Sequence, residues 1–127
     1  MKTILVVDDD ECIRETLGEL FDQEGYAVFQ AQNGAEAIRI LQRMPKPEVI
    51  LLDQNMPVMC GEEFLAKRSE DPRLLAIPVI LMSAARPTSA LAASVQFLPK
   101  PFEISRILEM VERTASPALR GAPAGVY

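Results

Sequence analysis

Apolar residues in this chain follow two rhythms, short unbroken runs and runs spaced three and four apart, and the two alternate along most of its length. Ile4 to Val7, Val49 to Leu52 and Pro78 to Met82 lack the polar alternation of half-exposed strands, so they predict strands buried on both faces. Tyr26 to Ala31 and Val95 to Leu98 predict two more short strands. Between them, Ile13, Leu17, Leu20 and Phe21 recur at helical spacing, with Asp10 and Glu11 suited to the start of a helix and Gly25 to its end. Asn33-Gly34 reads as a turn, and Ala37, Ile38 and Leu41 line a second helix that Pro45 and Pro47 terminate. A third helix spans Glu62 to Ser69, burying Phe64 and Leu65, with the loop Glu70-Asp71-Pro72 after it. Ile104, Ile107, Leu108 and Val111 form the apolar face of a closing helix.

The rhythm weakens in one place. Arg86-Pro87-Thr88-Ser89 is turn-like, and Ala90 to Ala93 leave room for a fourth helix of only about two turns. From Ser116 onward the chain is Ala, Pro and Gly with a single charge, which predicts a flexible tail at 116–127 after one domain at 1–115. Strands alternating with amphipathic helices imply an α/β fold, a doubly wound parallel sheet covered on both faces, because parallel strands need long crossovers.

Composition narrows the class. With 127 residues the chain makes one domain with a proper core. A net charge of −5, with no dense patch of Lys and Arg, argues against direct nucleic-acid contact. Its first apolar run is too short to span a membrane, so no membrane insertion and a cytoplasmic location are expected. Cys12 and Cys60 match no metal spacing and read as reduced, partly buried thiols. The absence of histidine excludes a histidine phosphocarrier and any His-based triad.

Candidate chemistry collects where the strands end. Asp8, Asp9 and Asp10 follow the first, Asp53 the third, Ser83 the fourth and Lys100 the fifth, and open parallel sheets bind ligands outside those carboxyl ends. Two carboxylates about 4 Å apart repel by roughly 4 kcal/mol at an effective dielectric near 20, so the acids call for a compensating cation. Mg²⁺ prefers such hard oxygen ligands and needs only one or two protein carboxylates. Lys100 offers a point charge and Ser83 a hydroxyl donor for a phosphoryl group, which places Asp53 as the nucleophile of an acyl phosphate. Asp10 suits a helix start better than a ligand role. After Asp53, Pro57 fixes its own φ and Gly61 permits a backbone conformation closed to other residues.

Asp8-Asp9, Asp53 with Met56-Pro57 and Gly61, Ser83-Ala84 and Lys100-Pro101-Phe102 together resemble the receiver domain of two-component response regulators, over residues 3 to 114. The resemblance implies a flavodoxin-like, five-stranded sheet of order 2-1-3-4-5. It also implies that Asp53 accepts a phosphoryl group from a sensor histidine kinase or phosphotransfer protein. Asp9 and Asp53 would bind Mg²⁺ directly, Asn55 through its backbone carbonyl and Asp8 mostly through water. Ser83, Ala84 and Lys100 would contact the phosphoryl oxygens, and Phe97 would follow Ser83 as the switch aromatic. A cis Lys100–Pro101 bond is implied as well. An unknown downstream protein and a monomer or phosphorylation-dependent dimer complete the expectation.

Ser83 and Lys100 stand several residues closer together than in typical receivers, so the fourth helix region is shortened while the site residues are all present. A second reading follows, a receiver-like interaction module not switched by phosphorylation. A third, a dehalogenase-class phosphatase with a nucleophilic Asp, is disfavoured because Asn55 stands where that class carries a second acid.

Overall fold

In the computed structural model, residues 2–86 and 88–115 are described. β1 (Thr3–Val7), β2 (Ala27–Ala31), β3 (Val49–Asp53), β4 (Val79–Ser83) and β5 (Gln96–Pro99) pair in parallel in the order β2-β1-β3-β4-β5. Helices cover both faces: α1 (Glu11–Gln23), α2 (Gly34–Leu41), α3 (Gly61–Ser69), α4 (Pro72–Leu75), α5 (Ala90–Ala93) and α6 (Ile104–Ala115). Every residue of β1, β3 and β4 is buried.

Strand side chains alternate between two cores because successive Cβ atoms point to opposite faces. Leu5, Val7, Ile50, Leu52 and Leu81 pack with Ala37, Leu41, Phe64 and Leu65 of α2 and α3. Ile4, Val6, Leu51, Ile80 and Met82 pack with Leu17 and Phe21 of α1 and Ile107 and Val111 of α6. Burial of each such side chain contributes about 1.5–3 kcal/mol, so the double-sided strands fix the sheet far more firmly than hydrogen bonding alone.

Helix boundaries follow from caps. Asp10 accepts the N–H groups of Cys12 and Ile13 at 2.9 and 3.2 Å, so it is the N-cap of α1, and Gly25 follows the helix at φ +91. Asn33, expected in a turn with Gly34, instead caps α2 by accepting the Glu36 N–H at 2.8 Å, and Gly34 is already helical. The helix stops at Leu41, ahead of the prolines expected to end it. Asp71 and Pro72, expected in a loop, start α4: Asp71 accepts the Arg73 N–H at 3.0 Å, and proline suits a first helical position whose N–H would be unpaired anyway.

Among the described residues between β4 and β5 there is a single turn of helix, α5, where the sequence predicts about two turns. Ser89 caps it through the Ala92 N–H at 3.1 Å. Arg68 is a buried cation that sequence periodicity does not flag; its guanidinium donates to the Leu75 carbonyl at 3.0 Å and to that of Ile77 at 2.9 Å, closing the path from α4 into β4. Cys12 is exposed, contrary to the expected partial burial, and Cys60 is half-buried. The expected tail at 116–127 lies outside the described residues. Among the described residues, no helix is long and apolar enough to cross a membrane.

Candidate functional site

Parallel register brings the strand ends level. Val7 pairs with Leu52, Asp53 with Met82, and Ser83 with Pro99, so Asp8, Asp53, Ser83 and Lys100 emerge along one edge of the sheet. Main-chain bonds pin that edge: Asp8 N–H donates to Ala31 O at 3.1 Å, Gln54 N–H to Met82 O at 2.9 Å, and Lys100 N–H to Ser83 O at 2.9 Å.

The Lys100 amine donates to Asp53 Oδ1 at 3.1 Å and to Asp8 Oδ2 at 3.4 Å. Burial pushes the Asp8 carboxyl above its ordinary value, with Asp53 adding to the rise while the Asp10 N–H and Lys100 oppose it. Asp53 is raised too, chiefly by burial, against the hydrogen bond and charge of Lys100. For Lys100, burial works against the charged amine, yet the bond to Asp53 and the charges of Asp8 and Asp53 lift it above its ordinary value. The site therefore holds concentrated negative charge that one lysine only partly offsets.

Oxygens of Asp8, Asp9 and Asp53 all lie within 4.8 Å of one another, with Asp9 exposed and the other two buried. This donor set fits a small divalent cation, since it is all oxygen and leaves an open side for water. Asp10 is not in the cluster and serves as a cap, as expected. Asn55 is exposed at the start of the loop after β3, and Ala84 is exposed immediately after β4.

The loop after β3 departs from the expected conformations. Gly61 is needed for space: a Cβ there would sit 2.7 Å from Gln54 Oε1 and 2.9 Å from the Asp53 carbonyl oxygen. Backbone freedom is used at Val58 instead, which takes φ 67 while 80% exposed. A β-branched residue there is strained by about 1–2 kcal/mol. Pro57 is exposed beside it and Met56 is buried, as packing rather than redox chemistry requires.

Ser83 is buried, and its hydroxyl oxygen accepts the Ala85 N–H at 3.3 Å. Phe97 is half-buried, with the Arg86 guanidinium 4.9 Å from its ring centre. The Lys100–Pro101 bond is cis.

Two neighbours of the cluster were not foreseen. Arg14 Nη1 donates to the Asp8 main-chain carbonyl at 2.7 Å. Gln54 donates through Nε2 to Glu62 at 3.1 Å, while its buried Oε1 accepts no hydrogen bond. The available signal for Arg14 was its being the sole basic residue from Asp8 to Glu24. Gln54 carries none beyond adjacency to Asp53.

Residues 4–112 match the response regulator receiver domain. The chain is 37% identical over 116 residues to sporulation initiation phosphotransferase F of Bacillus subtilis, covering 87% of this chain and 90% of that protein. It is 33% identical over 113 residues to response regulator MprA of a Mycobacterium species, of whose length it spans 46%. The structure of chemotaxis response regulator CheY4 of Vibrio cholerae superposes with a TM-score of 0.78 at 30% identity, covering 90% of this chain and 98% of that one. The parallel five-stranded fold agrees with these similarities, and the chain belongs to the response regulator receiver domain family of two-component signalling.

Proposed function

We propose that the protein is a phosphorylation-dependent signalling switch in which Asp53 accepts a phosphoryl group from a phosphohistidine on a sensor histidine kinase or phosphotransfer protein. One observation carries this reading: the Lys100 amine bridges Asp53 and Asp8 beside a third acid, all at one sheet edge. Asp53 Oδ attacks phosphorus as the P–N bond to the donor imidazole breaks, and the imidazole leaves with the electron pair and takes up a proton.

Asp8, Asp9 and Asp53, with the carbonyl of Asn55, would hold Mg²⁺. When bound, the ion offsets the negative charge gathering on the phosphoryl oxygens. Lys100 then exchanges its carboxylate partners for a phosphoryl oxygen, and the Ser83 hydroxyl and Ala84 N–H supply further donors. Pro57, Gly61 and Pro101 shape the loops that carry these groups. The chain itself is a regulatory domain, and its only chemistry is transfer onto, and loss from, its own aspartate.

Mass spectrometry after incubation with acetyl phosphate and Mg²⁺ tests the reading. The expected result is one added phosphoryl group, absent in Asp53→Ala. No adduct on the wild type favours the second reading, an interaction module independent of phosphate, for which the single-turn α5 is the supporting observation.

A further inference from the structure

Arg14 stands in the opening turns of α1, where a cation works against the helix macrodipole, so helix stability does not explain it. It is instead spent on the main chain, through the 2.7 Å bond to the Asp8 carbonyl in a partly buried setting. That carbonyl belongs to the rigid peptide plane joining Asp8 to Asp9. The same turn is held at two further points: the Asp10 N–H donates to Asp8 Oδ1 at 2.9 Å, and the Asp8 N–H donates to Ala31 O at 3.1 Å. Asp8 is thereby anchored by buried contacts, whereas Asp9 is exposed and its direction depends on how the preceding peptide is set.

We infer that Arg14 is a positioning residue for divalent-cation binding, orienting the Asp8–Asp9 peptide so that the Asp9 carboxylate converges with those of Asp8 and Asp53. This deepens the metal-dependent reading of the site and rests on it. Charge alone predicts the opposite sign, because a guanidinium near three carboxylates weakens their attraction for a second cation. The two effects are therefore separable by the direction of one measurement.

The experiment is Mg²⁺ titration of the wild type, Arg14→Met, Arg14→Gln and Arg14→Lys by calorimetry, with phosphorylation by acetyl phosphate at limiting and saturating Mg²⁺. Residues that orient metal ligands from behind typically change affinity by at least tenfold, so Arg14→Met should raise the Mg²⁺ dissociation constant about tenfold, with the rate at saturating Mg²⁺ within about twofold of wild type. Arg14→Gln and Arg14→Lys, each keeping an N–H donor, should fall between the two. Should Arg14→Met not fold, Arg14→Gln decides the sign. Unchanged or tighter Mg²⁺ binding in the neutral variants overturns the role of Arg14, while wild-type protein that binds no Mg²⁺ overturns the metal-dependent reading as well.

Discussion

Lys100 and Asp53 meet at 3.1 Å across 47 residues of sequence, with Asp53 almost fully buried and 22% of the lysine side chain exposed. Removing one partner of a fully buried pair costs about 3–5 kcal/mol. Partial exposure of the amine screens the interaction, so Lys100→Met should destabilise the metal-free protein by about 1–3 kcal/mol in denaturant titration. Stability equal to wild type would mean that the bridge contributes nothing in solution.

On the proposed metal-dependent reading, added Mg²⁺ should raise the melting temperature, because the folded cluster would hold it and the unfolded chain would not. At ten times the dissociation constant the gain is about 1.4 kcal/mol, a shift of a few degrees for a domain of this size. Asp9→Asn should remove most of that shift, and an unchanged Mg²⁺ response in the variant would take Asp9 out of the site.

Tyr26 governs a pH dependence remote from the acids. Burial, then the charge of Glu48, pushes its hydroxyl above the ordinary value of 10.0. A raised acid pKa means the folded state holds its proton longer than the unfolded one, so stability falls as pH climbs from the ordinary value through the raised one. Tyr26→Phe should flatten that alkaline slope in thermal unfolding between neutral and strongly basic pH. A slope identical to wild type would assign the alkaline loss to other groups.

Gly61→Ala should be among the more damaging single-methyl additions. Its new carbon would press on the Gln54 side chain and on the main chain of Asp53 and Gln54, the last two at 2.9 Å. Overpacking of this kind costs about 1–3 kcal/mol. Because the pressure falls on the backbone that presents Asp53, acetyl phosphate labelling should slow as well, and loss of stability with normal labelling would show that the loop relaxes away from the site.

A phosphoryl mimic should rearrange residues 84–94 instead of shifting a helix as one piece. Ser83 leaving its bond with the Ala85 N–H would release the segment carrying Arg86, whose guanidinium stacks on Phe97. One turn of helix has too little intrinsic stability to move as a rigid rod. Amide chemical shifts and hydrogen exchange with beryllofluoride should change across residues 84–98. If the mimic binds Asp53 and those amides stay unchanged, the switch gives way to the constitutive module.

Much of this was legible in the sequence, for identifiable reasons. The runs at Ile4, Val49 and Pro78 are apolar at every position, short and rich in β-branched residues, which suits a strand covered on both sides. Asp10 read as a helix start because its side chain can cap two exposed N–H groups, and it does. Asp71-Pro72 carries the same kind of signal and read as a loop, since proline marks helix starts and turns alike. Gly61 was identified as necessary for the wrong reason, because sequence cannot separate a need for space from a need for positive φ. The contacts of Arg14 and Arg68 are not encoded by periodicity: each reaches a main-chain carbonyl brought near by folding, and only the isolation of Arg14 among acids marks it in the sequence.

The separation of Lys100 from Asp8, 92 residues along the chain, also orders events during synthesis. Translation delivers the acids early and the lysine late, and α6, which seals the β1–β3–β4 face through Ile107 and Val111, comes later still. A ribosome-bound chain ending before β5 thus presents its carboxylates without their amine and with one face of the sheet covered by α1 alone. The acid cluster therefore gains its amine, and the sheet its second helix on that face, only once the last third of the chain has been made.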